Sequence, residues 1–261
     1  MNKKVIKPIV LVALFFVAII IFSITTNKDN RDMTTTMAKA TLPVMYFQQG
    51  DNQINELHGY VNKMDVTQMR DSITPVDDTR ILPVIVHTYG EKIDAMRFEI
   101  RSMDGERLVA KSNVTDYKIS GNKVTADLMI QNILDEDQEY TLVVTLEVEG
   151  QEIYYYTRLM QTNDSYAKEC VDFALQFHDY TFRDDADTFI PKYMDAATGD
   201  ATTLHYVDLT CTLKQITWAD LKPKQIGDTV ASIKEINTSY NVITISYVAS
   251  YVNGKGETEY Y

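Results

Sequence analysis

The chain has 261 residues, with 37 Asp and Glu against 25 Lys and Arg, a formal net charge of −12, and 45% hydrophobic and 10% aromatic content. With 10 Gly and 6 Pro it has the make-up of a folded globular chain rather than a collagen-like or low-complexity polymer. The acidic balance argues against nucleic acid or an anionic lipid surface as a partner, because phosphates repel such a surface, and two Cys are too few for a disulfide scaffold.

The first element in chain order is apolar. Pro8 to Asn27 runs 20 residues without a charge, and Ile9 to Phe22 is unbroken hydrophobic sequence. At about 1.5 Å rise per residue such a helix spans about 30 Å, the hydrocarbon thickness of a bilayer. Lys3, Lys4 and Lys7 precede it, while Lys28, Asp29, Arg31 and Asp32 cancel on the far side. Positive charge stays on the cytoplasmic side. The expected plan is a cytoplasmic tail at 1–7, a membrane span at 8–27 and a polar, Thr-rich stalk at 28–41, with the bulk of the chain extracytoplasmic. A cleaved signal peptide has a shorter apolar core, of about 7–15 residues, ending near a small-x-small site. Here the only A-x-A, Ala38-Lys39-Ala40, lies well past the run; an uncleaved anchor is the favoured reading.

From Leu42 to about Gln161 the pattern predicts short strands. Leu42–Phe47 and Ile81–His87 are apolar runs with Pro near their starts, where a strand tolerates it. Met96, Phe98 and Ile100 alternate with charged residues. Asp104-Gly105 and Ser120-Gly121-Asn122 signal turns, leading into Arg107–Ala110 and Val124–Ile130, and Gly150 joins Tyr140–Val148 to Ile153–Met160. Leu134 and Tyr140, just before the strand from Thr141, have the spacing of a tyrosine corner, in which the hydroxyl bonds back to the backbone. Over Ile133 to Met160 the chain thus resembles fibronectin type III and immunoglobulin-like domains. It lacks the Cys and Trp of an antibody-type core. The expectation for 42–161 is an Ig-like or fibronectin-III-like β-sandwich.

Asn163-Asp164-Ser165 offers a helix N-cap. Tyr166, Cys170, Phe173, Ala174, Phe177 and Thr181 follow at three- and four-residue spacing, an amphipathic stripe ending near Phe182. Strand-like segments come next, at Thr203–Leu213, Val230–Ile236 and Val242–Val252. One helix followed by an antiparallel meander predicts a small α+β layer for 162–261, in the order of cystatin-like or NTF2-like folds. The fold class expected is therefore mostly β. Asn253-Gly254 starts a hairpin whose returning strand stops at Tyr260-Tyr261, and a longer gene product is expected to complete it.

No P-loop, dinucleotide fingerprint, G-x-S-x-G or H-E-x-x-H is present, and no cofactor or metal is implied. Of His58, His87, His178 and His205 none has a metal-ligand spacing, and His205, in a strand, could approach Cys170 or Asp208 only through tertiary folding; His178 shares the proposed helix with Cys170. It lies eight residues from Cys170, about 12 Å along a helix and too far for a thiolate–imidazole pair. Cys170 and Cys211 are instead candidates for a disulfide, which an exported compartment permits. The acidic runs at 135–137 and 184–187 read as solvated loops. Tyr154, Tyr156, Tyr206 and Trp218 are candidates for an aromatic binding surface, against the simpler reading that their rings pack and their polar ends stay wet.

The segments Thr203–Leu221 and Ile153–Arg158 (IYYYTR) resemble uncharacterised single-pass, membrane-anchored, β-rich extracytoplasmic proteins of Gram-positive bacteria. In topology alone the chain is similar to YycH/YycI-type regulators of a cell-wall sensor kinase. A membrane anchor, a sandwich, a small α+β layer and the lack of a catalytic signature lead to the expectation of an anchored binding or adaptor protein of the cell envelope, with an envelope or membrane protein as partner. Two alternatives stay open: an envelope hydrolase acting on peptidoglycan or peptides, marked by His205 or His178 in a pocket beside a carboxylate or Cys, and a glycan-binding module.

Overall fold

A computed structural model describes residues 42–162, 166–193, 217–218 and 221–261. The expected tail, membrane span and stalk lie outside these residues, as do the strand at Thr203–Leu213 and the cap at 163–165. Among the described residues no helix is long and apolar enough to cross a membrane. Leu42–Tyr261 is a compact unit.

The fold is mostly β. Among the described residues the strands are β1 (Val44–Gln49), β2 (Asn52–His58), β3 (Ile73–Val76), β4 (Ile81–His87), β5 (Ile93–Ser102), β6 (Leu108–Val114), β7 (Tyr117–Ser120), β8 (Lys123–Met129), β9 (Glu139–Val148), β10 (Gln151–Gln161), β11 (Lys224–Ile236), β12 (Asn241–Val252) and β13 (Thr258–Tyr260). Among the same residues there is one α-helix, α1, at Tyr166–Thr181. Sheet A has the order β13-β12-β11-β2-β1-β4-β8-β7, and sheet B the order β3-β10-β9-β5-β6. Their inner faces meet in one core, built from alternate residues of each strand. Met45, Phe47, Val84, Val86, Val124 and Leu128 come from sheet A, and Phe98, Ile100, Leu142, Val144, Leu146 and Tyr155 from sheet B.

Sheet A is wider than sheet B, and α1 covers the overhang. The helix contacts β11 and β12, and its Val171 and Leu175 join the same core as Ile233, Ile243 and Ile245. Of the strands expected to form a separate α+β layer at 162–261, the two that are described, at Val230–Ile236 and Val242–Val252, are an extension of sheet A. β11 lies parallel to β2 through Ala231 and Ile54. Among the described residues no second sheet begins at the expected boundary.

Asn55 makes that junction. It sits in a bulge of β2, where the register with β1 shifts between Met45 and Phe47, and its φ is 54°. Asn tolerates this left-handed conformation better than most residues. The side chain is fully buried. Its Nδ2 donates to the Ile73 carbonyl and to Thr74 Oγ1, both at 2.9 Å, and its Oδ1 accepts from the Ile233 amide at 2.8 Å. One amide therefore ties β2 to β3 of sheet B and to β11. The buried hydroxyls of Thr74, Thr157 and Ser72 continue the chain of hydrogen bonds, each link 3.1 Å. At the rim, Arg158 pairs with Glu139 at 3.1 Å and donates to the Lys234 carbonyl, and Lys234 reaches Asp71 at 2.8 Å.

The tyrosine corner forms. The Tyr140 hydroxyl accepts from the Asp135 amide and donates to its carboxylate, both at 3.0 Å, with Leu134 buried beside it. The outer face of sheet B is covered by the strap that leaves β2. Val66 and Met69 pack on Val143 and Tyr156. Gly59 enters the strap where a Cβ would lie 2.4 Å from Ile153 Cγ2, so only glycine allows this approach. This cover explains why β9 is buried on both faces.

Candidate interaction surface

Aromatic side chains gather where α1 meets the C-terminal strands. The sequence stripe locates the helix but not the face it buries. The buried positions are Ala167, Val171 and His178, while Phe173 is 39% exposed and Phe177 and Tyr180 are half-buried. Two groups result.

On the core side, His178 stands 4.3 Å from the Tyr247 ring and 5.1 Å from Phe182. Trp218, which holds a φ of 63°, lies edge-on to Tyr247 and Tyr261 and tilted against Phe182. His178 Nε2 lies 3.4 Å from Thr229 Oγ1, which also accepts from Gln225 Nε2 at 2.6 Å. Burial holds the imidazole below its usual pKa, so it is neutral at pH 7, against opposing effects from Gln225 and Asp179.

On the outer side runs a belt of part-exposed rings. Phe173 meets Tyr193 edge-on at 4.8 Å, Phe189 lies 4.9 Å from Tyr193, and Tyr180 stacks on Phe189 at 4.2 Å. The Arg183 guanidinium sits 4.3 Å above the Tyr180 ring and also pairs with Asp185 at 2.7 Å. Two short 3-10 turns, Ala186–Thr188 and Ile190–Lys192, carry Phe189 back over the helix; buried Ala186 and Ile190 anchor them. Beside the belt, a hollow of about 400 Å³ is lined by Tyr166, Cys170, Phe173, Ala174, Asn241 and Ile243, among others.

Of the candidates for an aromatic surface, the three that are described, Tyr154, Tyr156 and Trp218, are not brought together as one surface. Tyr156 is buried beneath the strap, its hydroxyl accepting from the Met64 amide at 2.8 Å. Tyr154 is half-buried beside it and donates to Glu152, which also pairs with Arg97. Trp218 belongs to the group around His178. Tyr206, Cys211 and His205 lie outside the described residues, and so does the Cys170–Cys211 pairing. The belt of Phe173, Tyr180, Phe189 and Tyr193 went unnoticed in the sequence. Its signal is the density of rings on the helix and just after it, Phe173, Phe177 and Tyr180 on α1 and Phe182, Phe189 and Tyr193 beyond its end, more than the core side alone takes up.

His87 lies on the outer face of sheet A, 5.1 Å from the Tyr46 ring, with burial and Lys123 holding its pKa down. Its Nε2 is buried without a hydrogen-bond partner. Among the described residues no group of His, Cys, Asp and Glu is placed to hold a metal ion.

No protein-family profile matches the chain, and no curated protein matches it. Among solved structures, the crystal structure of an engineered protein is similar over 35% of this chain and 18% of its own length, at 15% identity and a TM-score of 0.25. A likeness this slight carries no argument about fold or function.

Proposed function

We propose that the chain is a membrane-anchored, extracytoplasmic binding or adaptor protein of the cell envelope, acting through surfaces rather than covalent chemistry. The observation that carries the binding reading is the belt on α1. Clustered aromatic rings with a stacked Arg are the composition of interface hot spots, because they bury large area at low entropic cost. Anchoring rests on the uncharged run at 8–27 and the three Lys before it. The sandwich is read as Ig-like or fibronectin-like, a reading supported by the tyrosine corner and by two sheets facing across one core. Such a sandwich serves as a rigid mount for the helix.

Two experiments test this. A reporter that is active only outside the cell, fused after Tyr261, should be active, and the protein should stay with membranes in high salt; activity of a cytosolic reporter at the same place would overturn the topology. A photocrosslinking residue at Phe173 or Tyr193, in intact membranes, should trap one envelope protein that the same residue at Lys118 on β7 does not. Equal labelling from both positions would overturn the role of the belt.

A further inference from the structure

His87 belongs to a small buried cluster on the outer face of sheet A. Val84 and Val86 of β4 point into the core, so Ile85 and His87 point away from it. On the neighbouring β1, Val44 pairs with His87 and Tyr46 with Ile85. Val44, Tyr46 and Ile85 are buried, and with Val230 they form an apolar cluster separate from the core. The His87 ring lies against this cluster, 5.1 Å from the Tyr46 ring and tilted from it by 57°. Its Nε2 is shielded from solvent and has no hydrogen-bond partner.

Charged and titratable groups surround this ring from each neighbouring element. Lys123 is its cross-strand partner on β8. Glu56 of β2 accepts from the Tyr46 hydroxyl and lies 3.6 Å from His58 Nε2. Asp228 comes from the bulge of β11 between Ile226 and Val230, and Tyr89 from the turn after β4. Burial disfavours the charged imidazole, and Lys123 adds to this, while Asp228 and Glu56 favour the charge. The place the ring occupies therefore rejects its cation, and two carboxylates near it attract the same cation.

We infer that His87 is a pH-operated latch on the outer face of sheet A: as a neutral ring it rests on Tyr46, and as a cation it leaves Tyr46 for the carboxylates of Asp228 and Glu56. The unpaired Nε2 is the reason. A neutral imidazole can carry one ring nitrogen as an unused acceptor, whereas the cation has an N–H on both. Burying a charged donor without an acceptor costs more than burying a neutral orphan. Release of the ring opens the cluster of Val44, Tyr46 and Ile85 on one side and places a cation at its rim, so this face changes its chemistry in acid. Exposure to the pH of the surroundings rests on the extracytoplasmic placement above; the latch itself does not.

The test is a pH titration of the full chain in a nonionic detergent, with isotope-labelled His and Tyr rings followed by NMR. His87→Gln and Tyr46→Phe assign the two signals. The His87 ring should titrate below about pH 6.5, the value of a free imidazole, and its Overhauser contact with Tyr46 should vanish with the same midpoint. Asp228 is exposed, so Asp228→Asn should leave the fold intact and move that midpoint to lower pH by removing an acceptor of the cation. His87→Phe keeps a ring on Tyr46 and should hold the Tyr46 signals constant across the range. A midpoint at or above that of free imidazole would overturn the latch. So would an Overhauser contact that survives protonation, since the ring would then be charged in place. A Tyr46 transition that persists in His87→Phe would assign the change to another group, His58 first, and a midpoint unmoved by both Asp228→Asn and Glu56→Gln would remove the acceptors; either result overturns the proposal. The reporter fusion reads placement alone, so its failure and failure of the latch are separate results.

Discussion

Through one buried side chain, Asn55 bonds β2 to both β3 and β11. Truncation to Ala strands the Ile233 amide and the Ile73 carbonyl in the core, and places a Cβ-bearing residue without local hydrogen bonds at φ 54°. Leaving buried groups unpaired costs about 1–3 kcal/mol each, so Asn55→Ala should lose about 2–4 kcal/mol in urea unfolding. Asn55→Gly relieves the backbone but strands the same groups, and should fall between Ala and the native residue. Full stability in the Gly variant would mean that the hydrogen bonds contribute nothing net. His178 makes a prediction in pH. Its folded pKa lies below the unfolded value near 6.5, so the unfolded chain takes up the proton first. The contribution of neutral His178 is complete above about pH 6.5, and it is lost as pH falls through the folded value, with a slope no steeper than about 1.4 kcal/mol per pH unit. His87 is shifted the same way. In His178→Phe, which keeps a ring against Tyr247, urea midpoints should fall less steeply below pH about 6.5 than in the native chain, with the His87 share remaining. Equal slopes would show that His178 is not held neutral.

At the scale of elements, the corner before β9 is a self-contained case. Tyr140→Phe keeps the buried ring and deletes one hydroxyl that both accepts from and donates to Asp135. The expected loss is about 1–2 kcal/mol, with no change in the urea m-value, because the exposed Asp135 amide can turn to water. A loss near zero would remove the corner as a stabilising device. The Leu-x5-Tyr spacing made this corner readable from sequence, and the hairpins at Gly121 and Gly150 were readable for a similar reason: their glycines sit at φ 58° and 78°, where most other residues are strained. β2 was not readable. Its sequence, NQINELH, is rich in residues depleted from strands, and the bulge at Asn55 breaks the period of two that reveals a half-buried strand. β3, ITPV, is hidden by its Pro, which an edge strand tolerates. The position of α1 was legible, but its orientation was not. Its two sides are both apolar, one against sheet A and one forming the belt, so periodicity alone cannot say which side faces the core.

For the molecule as a whole, the instructive point is the continuity of sheet A. A change from strands to a helix near residue 162 reads as a domain boundary, because sequence periodicity is local and the pairing of β11 with β2 spans more than half the chain. The residues that hold this seam, Asn55, Arg158 and Lys234, are polar, and polar residues look like surface until their partners are known. Two views of the molecule follow from the seam, with opposite outcomes. If the C-terminal strands were a separate domain, they would unfold on their own. If the seam holds, removing them strips β2 of a neighbour and leaves Asn55 Oδ1 unpaired, so both parts should unfold together. The chain supplies a clean probe, since Trp218 is its only Trp and contacts Phe182, Tyr247 and Tyr261, all within the C-terminal part. Far-UV circular dichroism reports mainly the strands of both sheets. Urea transitions followed by Trp fluorescence and by circular dichroism should coincide, and Asn55→Ala should move both midpoints equally. A Trp transition at lower urea than the circular dichroism transition, with Asn55→Ala shifting only one of them, would show that the seam at Ile54–Ala231 couples nothing and that the chain folds in two independent parts.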